Sequence, residues 1–92
     1  MRILLVEDDA KIAHALAEGL RAEHYAVDVA TTGEHAFDRL ATTPFDLVVL
    51  DWMLPGRSGL DVLTMLRTRG LATPVIVVTA RDAVDDRVQG LD

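Results

Sequence analysis

Three observations on the sequence predict an α/β fold with a parallel sheet. Short β-prone runs at residues 3–6, 47–50 and 75–78 are apolar, and the unbroken run at 47–50 suits a strand covered on both faces. Helix-periodic stretches lie between these runs, and a strand, helix alternation repeated four times implies right-handed crossovers with helices on both faces of the sheet. The runs also stop abruptly, at Glu7-Asp8-Asp9, at Asp51 and at Thr79. Parallel strands all point one way, so these chain-distant groups are expected on one edge of the sheet, where open α/β folds bind ligands.

The elements follow in order. After the acids that close the first run, an Ala-rich stretch carries Ile12, Leu16 and Leu20 at intervals of four, predicting a helix over residues 10–23 with these three on its apolar face. Asp8 and Asp9 complement the dipole at its start. Residues 25–30 alternate, with Val27 and Val29 on one side and Asp28 on the other, which reads as a shorter strand nearer a sheet edge. Thr31-Thr32-Gly33 punctuates before a helix bearing Ala36, Phe37 and Leu40, and Thr43-Pro44 ends it. The third strand delivers Asp51 to its carboxyl end, the Pro55-Gly56 turn follows, and Ser58 with Asp61 three residues later forms a helix-starting capping pattern. Leu60, Leu63 and Leu66 mark the next helix, closed by Gly70, and Pro74 opens the fourth strand. A more polar helix is predicted over residues 83–91.

Composition limits the function classes. The chain of 92 residues fits one domain, and its net charge of −6, with a single lysine at Lys11, argues against direct nucleic-acid binding by this segment. No cysteine is available for a disulfide or thiolate site, which is compatible with the cytoplasm, and neither a leader pattern nor a run of membrane-spanning length is apparent. Repeats, low-complexity segments and linkers are also absent from the pattern.

If the first, third and fourth strands are neighbours, Glu7, Asp8, Asp51 and Thr79 converge on one pocket. Clustered carboxylates raise one another's pKa unless a cation is present. An all-oxygen set with few protein ligands suits Mg2+ more than Zn2+. Ionised Asp51 needs no general base to attack a phosphoryl donor, and attack would give an acyl phosphate. The Thr79 hydroxyl could then hydrogen-bond a phosphoryl oxygen, with small Ala80 beside it leaving space for movement.

At this point VEDD after the first strand, LDWMLPGRSG around the third and VTAR after the fourth resemble the receiver domain of bacterial response regulators. The match runs through the whole chain, and LDWMLPG with the TAR ending resembles the OmpR/PhoB subfamily of transcription factors. The resemblance implies a flavodoxin-like doubly wound sheet in the order 2-1-3-4. It implies Asp51 as the acceptor of a phosphoryl group from the phosphohistidine of a sensor kinase. Asp8 would ligate Mg2+ directly alongside Asp51, Glu7 would act largely through water, and the backbone carbonyl of Met53 would complete the protein's share. Thr79, with Ala80, would sense the phosphoryl group, and Met53 and Arg81 would tune its removal by water. Arg87 would belong to a dimer face. The family also has a lysine at the end of a fifth strand, followed by a fifth helix, and this sequence reaches Asp92 before either. The expectation is therefore a receiver domain over residues 1–92 that is incomplete at its C-terminus, with an exposed fourth strand that favours self-association. Output through a DNA-binding domain outside this chain is expected, with a stand-alone receiver or phosphorelay adaptor as the alternative.

Blander readings exist for each residue. Acids at a helix start often serve its dipole, and a Thr at a strand end is often merely polar; convergence on one edge, together with the surrounding motifs, favours the site. Trp52 reads as a packing residue that could report metal binding, while His14, His24 and His35 lack metal-ligand spacing. An aspartyl phosphatase of the haloacid dehalogenase type wants an acid two residues after its nucleophile, where this chain has Met53. A flavin domain wants a hydroxyl- and glycine-rich phosphate loop, where Glu7-Asp8-Asp9 would repel phosphate.

Overall fold

The computed structural model describes residues 1–54 and 58–78. Four strands, β1 (Arg2–Val6), β2 (Ala26–Ala30), β3 (Leu47–Asp51) and β4 (Val75–Val78), alternate with three helices, α1 (Ala10–Ala22), α2 (Gly33–Thr42) and α3 (Gly59–Thr68). All pairings are parallel, as the strand–helix alternation predicts, and the order is β2-β1-β3-β4, as the family resemblance implies. The helix expected over residues 83–91 lies outside the described residues.

Helices pack on both faces of the sheet. On one, Ile3, Leu5 and Val27 pack with Ala13 and Ala17 of α1. On the other, Leu4, Val6, Val48 and Leu50 pack with Ala36 and Leu40 of α2 and Val62 and Leu66 of α3. Alternate residues of β1 thus feed opposite layers, as the two-residue period of a strand requires. All four from Ile3 to Val6 are fully buried, which explains why that run carries no polar alternation. Truncating Leu66, also fully buried, to Ala would cost about 2–5 kcal/mol.

Two helix faces differ from expectation. In α1 the buried residues are Ala13 and Ala17, while Ile12 and Leu20 are half-buried and Leu16 is exposed. The expected stripe is displaced by a small-residue seam that packs on the sheet, and the larger side chains lie on its flank. In α3 the buried set is Gly59, Val62 and Leu66; Leu63 is half-buried and Leu60 lies exposed on the opposite side. β2 starts at Ala26, one residue later than predicted.

The ends of the helices are fixed by local chemistry. Asp9 is the N-cap of α1, its Oδ1 accepting hydrogen bonds from the backbone amides of Lys11 (2.9 Å) and Ile12 (3.1 Å). Thr32 caps α2 by accepting from the His35 amide at 3.0 Å. The predicted capping box of α3 is present in full. The Ser58 hydroxyl accepts from the Asp61 amide, and the Asp61 carboxylate accepts from the Ser58 amide. Gly70, at φ +74°, takes the left-handed turn that ends α3. β4 is the end strand of the described sheet, with Ile76 and Val77 about half exposed.

Candidate metal and phosphoryl site

The carboxyl edge of the sheet gathers the acids. The Glu7 amide donates to the Ala30 carbonyl at 2.9 Å, extending the β1–β2 ladder one residue beyond Val6 and fixing where its side chain emerges. That side chain is buried, 2% exposed, and its Oε2 accepts from the Asp9 amide at 3.0 Å. Asp9, exposed like Asp8, turns away to cap α1, which leaves Glu7 and Asp8 as the acids of this run that face the site. Asp51, 5% exposed, ends β3 next to β1, and its Oδ1 accepts from the Met53 amide at 3.1 Å. Carboxylate oxygens of Glu7, Asp8 and Asp51 all lie within 4.8 Å of one another.

This proximity is electrostatically costly. Burial pushes the Glu7 carboxyl up from 4.5 to about 7. The Asp9 amide opposes the shift, while the charge of Asp51, a hydrogen bond with the Asp51 carboxyl and the charge of Asp8 add to it. Among the described residues no Lys, Arg or His forms an ion pair with any of the three; Lys11 is exposed on the first turn of α1. An all-oxygen cluster with excess negative charge fits a hard divalent cation such as Mg2+.

The β3–α3 connection holds Asp51 on its far side. The Trp52 amide donates to the Val78 carbonyl of β4 at 3.2 Å, and the Trp52 carbonyl accepts from the Gly59 amide at 3.1 Å. Leu54 packs against the core cluster under α2 and α3. The side chains of Trp52 and Met53 are exposed, 37% and 55%, so Trp52 is a rim residue rather than a core one. Glu7, Asp8 and Asp51 are therefore brought together on one edge, with the Met53 amide on the Asp51 carboxylate. Thr79, Ala80, Arg81 and Arg87 lie outside the described residues. The sequence reading missed Gly59, whose place against Trp52 depends on the path of the loop and has no signature of its own.

The exposed histidines have no part in this cluster. His14 pairs with Glu18 one turn along α1 at 3.1 Å, and His24 occupies the turn between α1 and β2 with φ +71°.

Comparison with known proteins agrees with this geometry. Residues 3–92 match the response regulator receiver domain family. Over its whole length the chain is 54% identical to the response regulator protein PmrA of Pseudomonas aeruginosa and 47% identical to the transcriptional regulatory protein DltR of Streptococcus agalactiae. It spans only 42% and 41% of those two proteins. Among solved structures, the BeF3-activated N-terminal receiver domain of Klebsiella pneumoniae RstA superposes with a TM-score of 0.85 at 31% identity, covering 99% of this chain and 77% of that one. The Thermotoga maritima response regulator TrrA, in complex with Mg2+ and BeF, superposes at 0.75 and 30% identity, covering 99% of this chain and 98% of that one. The OmpR/PhoB-type resemblance and the flavodoxin-like sheet read from the sequence are both borne out. The chain belongs to the response regulator receiver domain family of two-component systems.

Proposed function

We propose that this chain is a phospho-accepting switch in which Asp51 takes a phosphoryl group from the phosphohistidine of a sensor kinase in the cytoplasm. The observation that carries the reading is the convergence of Glu7, Asp8 and Asp51 within 4.8 Å at the carboxyl edge of a parallel sheet. Asp51, Asp8 and the Met53 backbone carbonyl would hold Mg2+ directly, and Glu7 would hold it through water. Mg2+ would neutralise charge on the equatorial phosphoryl oxygens as transfer proceeds.

The chain's own residues do the rest. Hydrogen bonding from the Met53 amide to Oδ1 orients the Asp51 carboxylate. A carboxylate oxygen attacks phosphorus as the phosphorus–nitrogen bond to the donor imidazole breaks, and the imidazole retains the electron pair and takes up a proton. The product is an acyl phosphate on Asp51, so the protein is a stoichiometric acceptor rather than a turnover enzyme. Thr79 and Ala80 are assigned to sensing that group, Met53 and Arg81 to setting its lifetime, and Arg87 to a face for homodimerisation or other self-association.

We place the output outside residues 1–92, which we read as a receiver domain. Relatives named as transcriptional regulatory proteins are more than twice its length, which supports a DNA-binding domain as the effector. A stand-alone receiver has one specific support, the near-complete coverage of TrrA. The test of the switch is intact mass after incubation with Mg2+ and a small acyl phosphate donor. One added phosphoryl group is expected on the parent and none on Asp51→Ala. Equal modification of both, or of neither, would contradict the assignment.

A further inference from the structure

We propose that Gly59 is a positioning residue for the metal site, a role that rests on the reading of Asp51 and Met53 as metal ligands. A Cβ built on Gly59 would lie 2.9 Å from the Cα of Trp52, 2.9 Å from its ring carbon Cε3 and 3.0 Å from the backbone oxygen of Asp51. Two of these three atoms are backbone, so a flexible side chain cannot move aside to relieve the contact. Only a residue without a Cβ lets α3 start this close to the end of β3.

The close approach makes the bond between the Gly59 amide and the Trp52 carbonyl, 3.1 Å. Trp52 is thereby held at both of its peptide groups, since its own amide donates to Val78 of β4. The residue on each side of Trp52 carries a proposed ligand, the Asp51 carboxylate before it and the Met53 carbonyl after it. The Met53 amide also orients that carboxylate. Displacing Trp52 Cα by a few tenths of an ångström therefore shifts both groups relative to Glu7 and Asp8, which sit on the separate β1–α1 connection. A site that must be held within roughly half an ångström of its working geometry does not tolerate that.

Gly19, by contrast, has open space around its missing Cβ in the middle of α1, so Gly19→Ala adds helix propensity without a contact. It supplies a stabilising background for the test. The experiment titrates the purified chain with Mg2+ alone, following the single Trp by fluorescence and checking by calorimetry, for four proteins: parent, Asp51→Asn, Gly19→Ala and Gly19→Ala/Gly59→Ala. Far-UV circular dichroism and thermal unfolding are recorded on each without Mg2+.

The expected result is a double variant that folds cooperatively and binds Mg2+ about tenfold more weakly than Gly19→Ala. A folded double variant with affinity within twofold of Gly19→Ala would overturn the proposal. Loss of cooperative folding in the double variant would also overturn it, because Gly59 would then serve stability alone. The underlying reading fails separately, and takes the proposal with it, if the parent does not bind Mg2+ or if Asp51→Asn binds it equally well.

Discussion

At the amino-terminal half of the sheet acids are met by cations; at the carboxyl edge they are left to one another. Asp28 of β2 receives two guanidinium groups, from Arg39 of α2 at 2.6 Å and from Arg2 of β1 at 2.9 Å. Arg39 first and Arg2 second hold its carboxyl below the usual range. Asp46, just before β3, accepts from the Arg2 amide at 2.7 Å and returns its own amide to the Arg2 carbonyl at 2.8 Å. The Arg2 guanidinium also lies 5.8 Å from the Phe45 ring centroid. Glu7, Asp8 and Asp51 have no such partner among the described residues, and Glu7 is held above its usual range. One half has its charges paired within the protein, and the other carries acids with no cationic partner among the described residues. On the proposed function, the contrast separates acids that support the fold from acids kept for chemistry.

The largest expected effect comes from removing one acid at the carboxyl edge. Asp51→Asn keeps an acceptor for the Met53 amide but loses the charge. It should abolish phosphoryl incorporation by intact mass, and it should stabilise the metal-free protein at pH 8 by about 1–2 kcal/mol in urea unfolding. A fall in stability would mean that the three acids are not in conflict.

After the loss of phosphoryl incorporation comes the pH dependence of metal-free stability, where the two halves should carry opposite signs. Glu7 is protonated in the folded protein up to about pH 7 but only to about 4.5 when unfolded, so its contribution is fully present below 4.5 and is lost as pH rises through 7. Between pH 5 and 8 the parent should lose roughly 1–3 kcal/mol relative to Glu7→Gln, and excess Mg2+ should remove most of that difference. The lowered carboxyl of Asp28 works the other way. Its contribution is present above the usual carboxylate range and is lost as pH falls through its depressed value.

Smaller again is Arg39→Ala. Both partners of this pair are partly exposed, so about 1 kcal/mol should be lost at neutral pH and less in acid, with Mg2+ affinity unchanged. Coupling between Arg39→Ala and Mg2+ binding would show that the two halves are not independent. The smallest effect is expected at neither half. His24 holds a left-handed backbone, so His24→Gly should change stability by no more than about 1 kcal/mol, towards greater stability, with Mg2+ affinity as in the parent.

These contrasts also explain what the sequence could reveal. Strands buried on both faces leave uninterrupted apolar runs, and the acids that end them stand out because the polarity change is abrupt, so Glu7, Asp8 and Asp51 were legible, whereas the strand order came from the family resemblance. The role of Asp9 was half legible: its place at a helix start was plain, but its N-cap geometry required coordinates. The face of α1 was misread because Ile12, Leu16 and Leu20 outweigh Ala13 and Ala17 in hydropathy, whereas close helix–sheet approach selects for small size. Leu60 marks α3 in the sequence yet is exposed, because an apolar residue at helical spacing need not face the core. The Arg2–Asp28–Arg39 cluster joins residues 11 and 26 positions apart, and charged residues at such spacings leave no periodic trace. Gly59 was invisible for a similar reason, since its neighbour across the loop is set by tertiary structure.

The most direct test of the central claim is thermal unfolding of the parent and of Asp51→Asn at pH 8, each with and without millimolar Mg2+. Acids left uncompensated for a cation predict that Mg2+ raises the parent midpoint by about 5 °C or more. Metal-free Asp51→Asn should then melt above the metal-free parent and respond little to Mg2+. A parent midpoint that Mg2+ does not move, or an Asp51→Asn midpoint that it moves equally, would contradict the account.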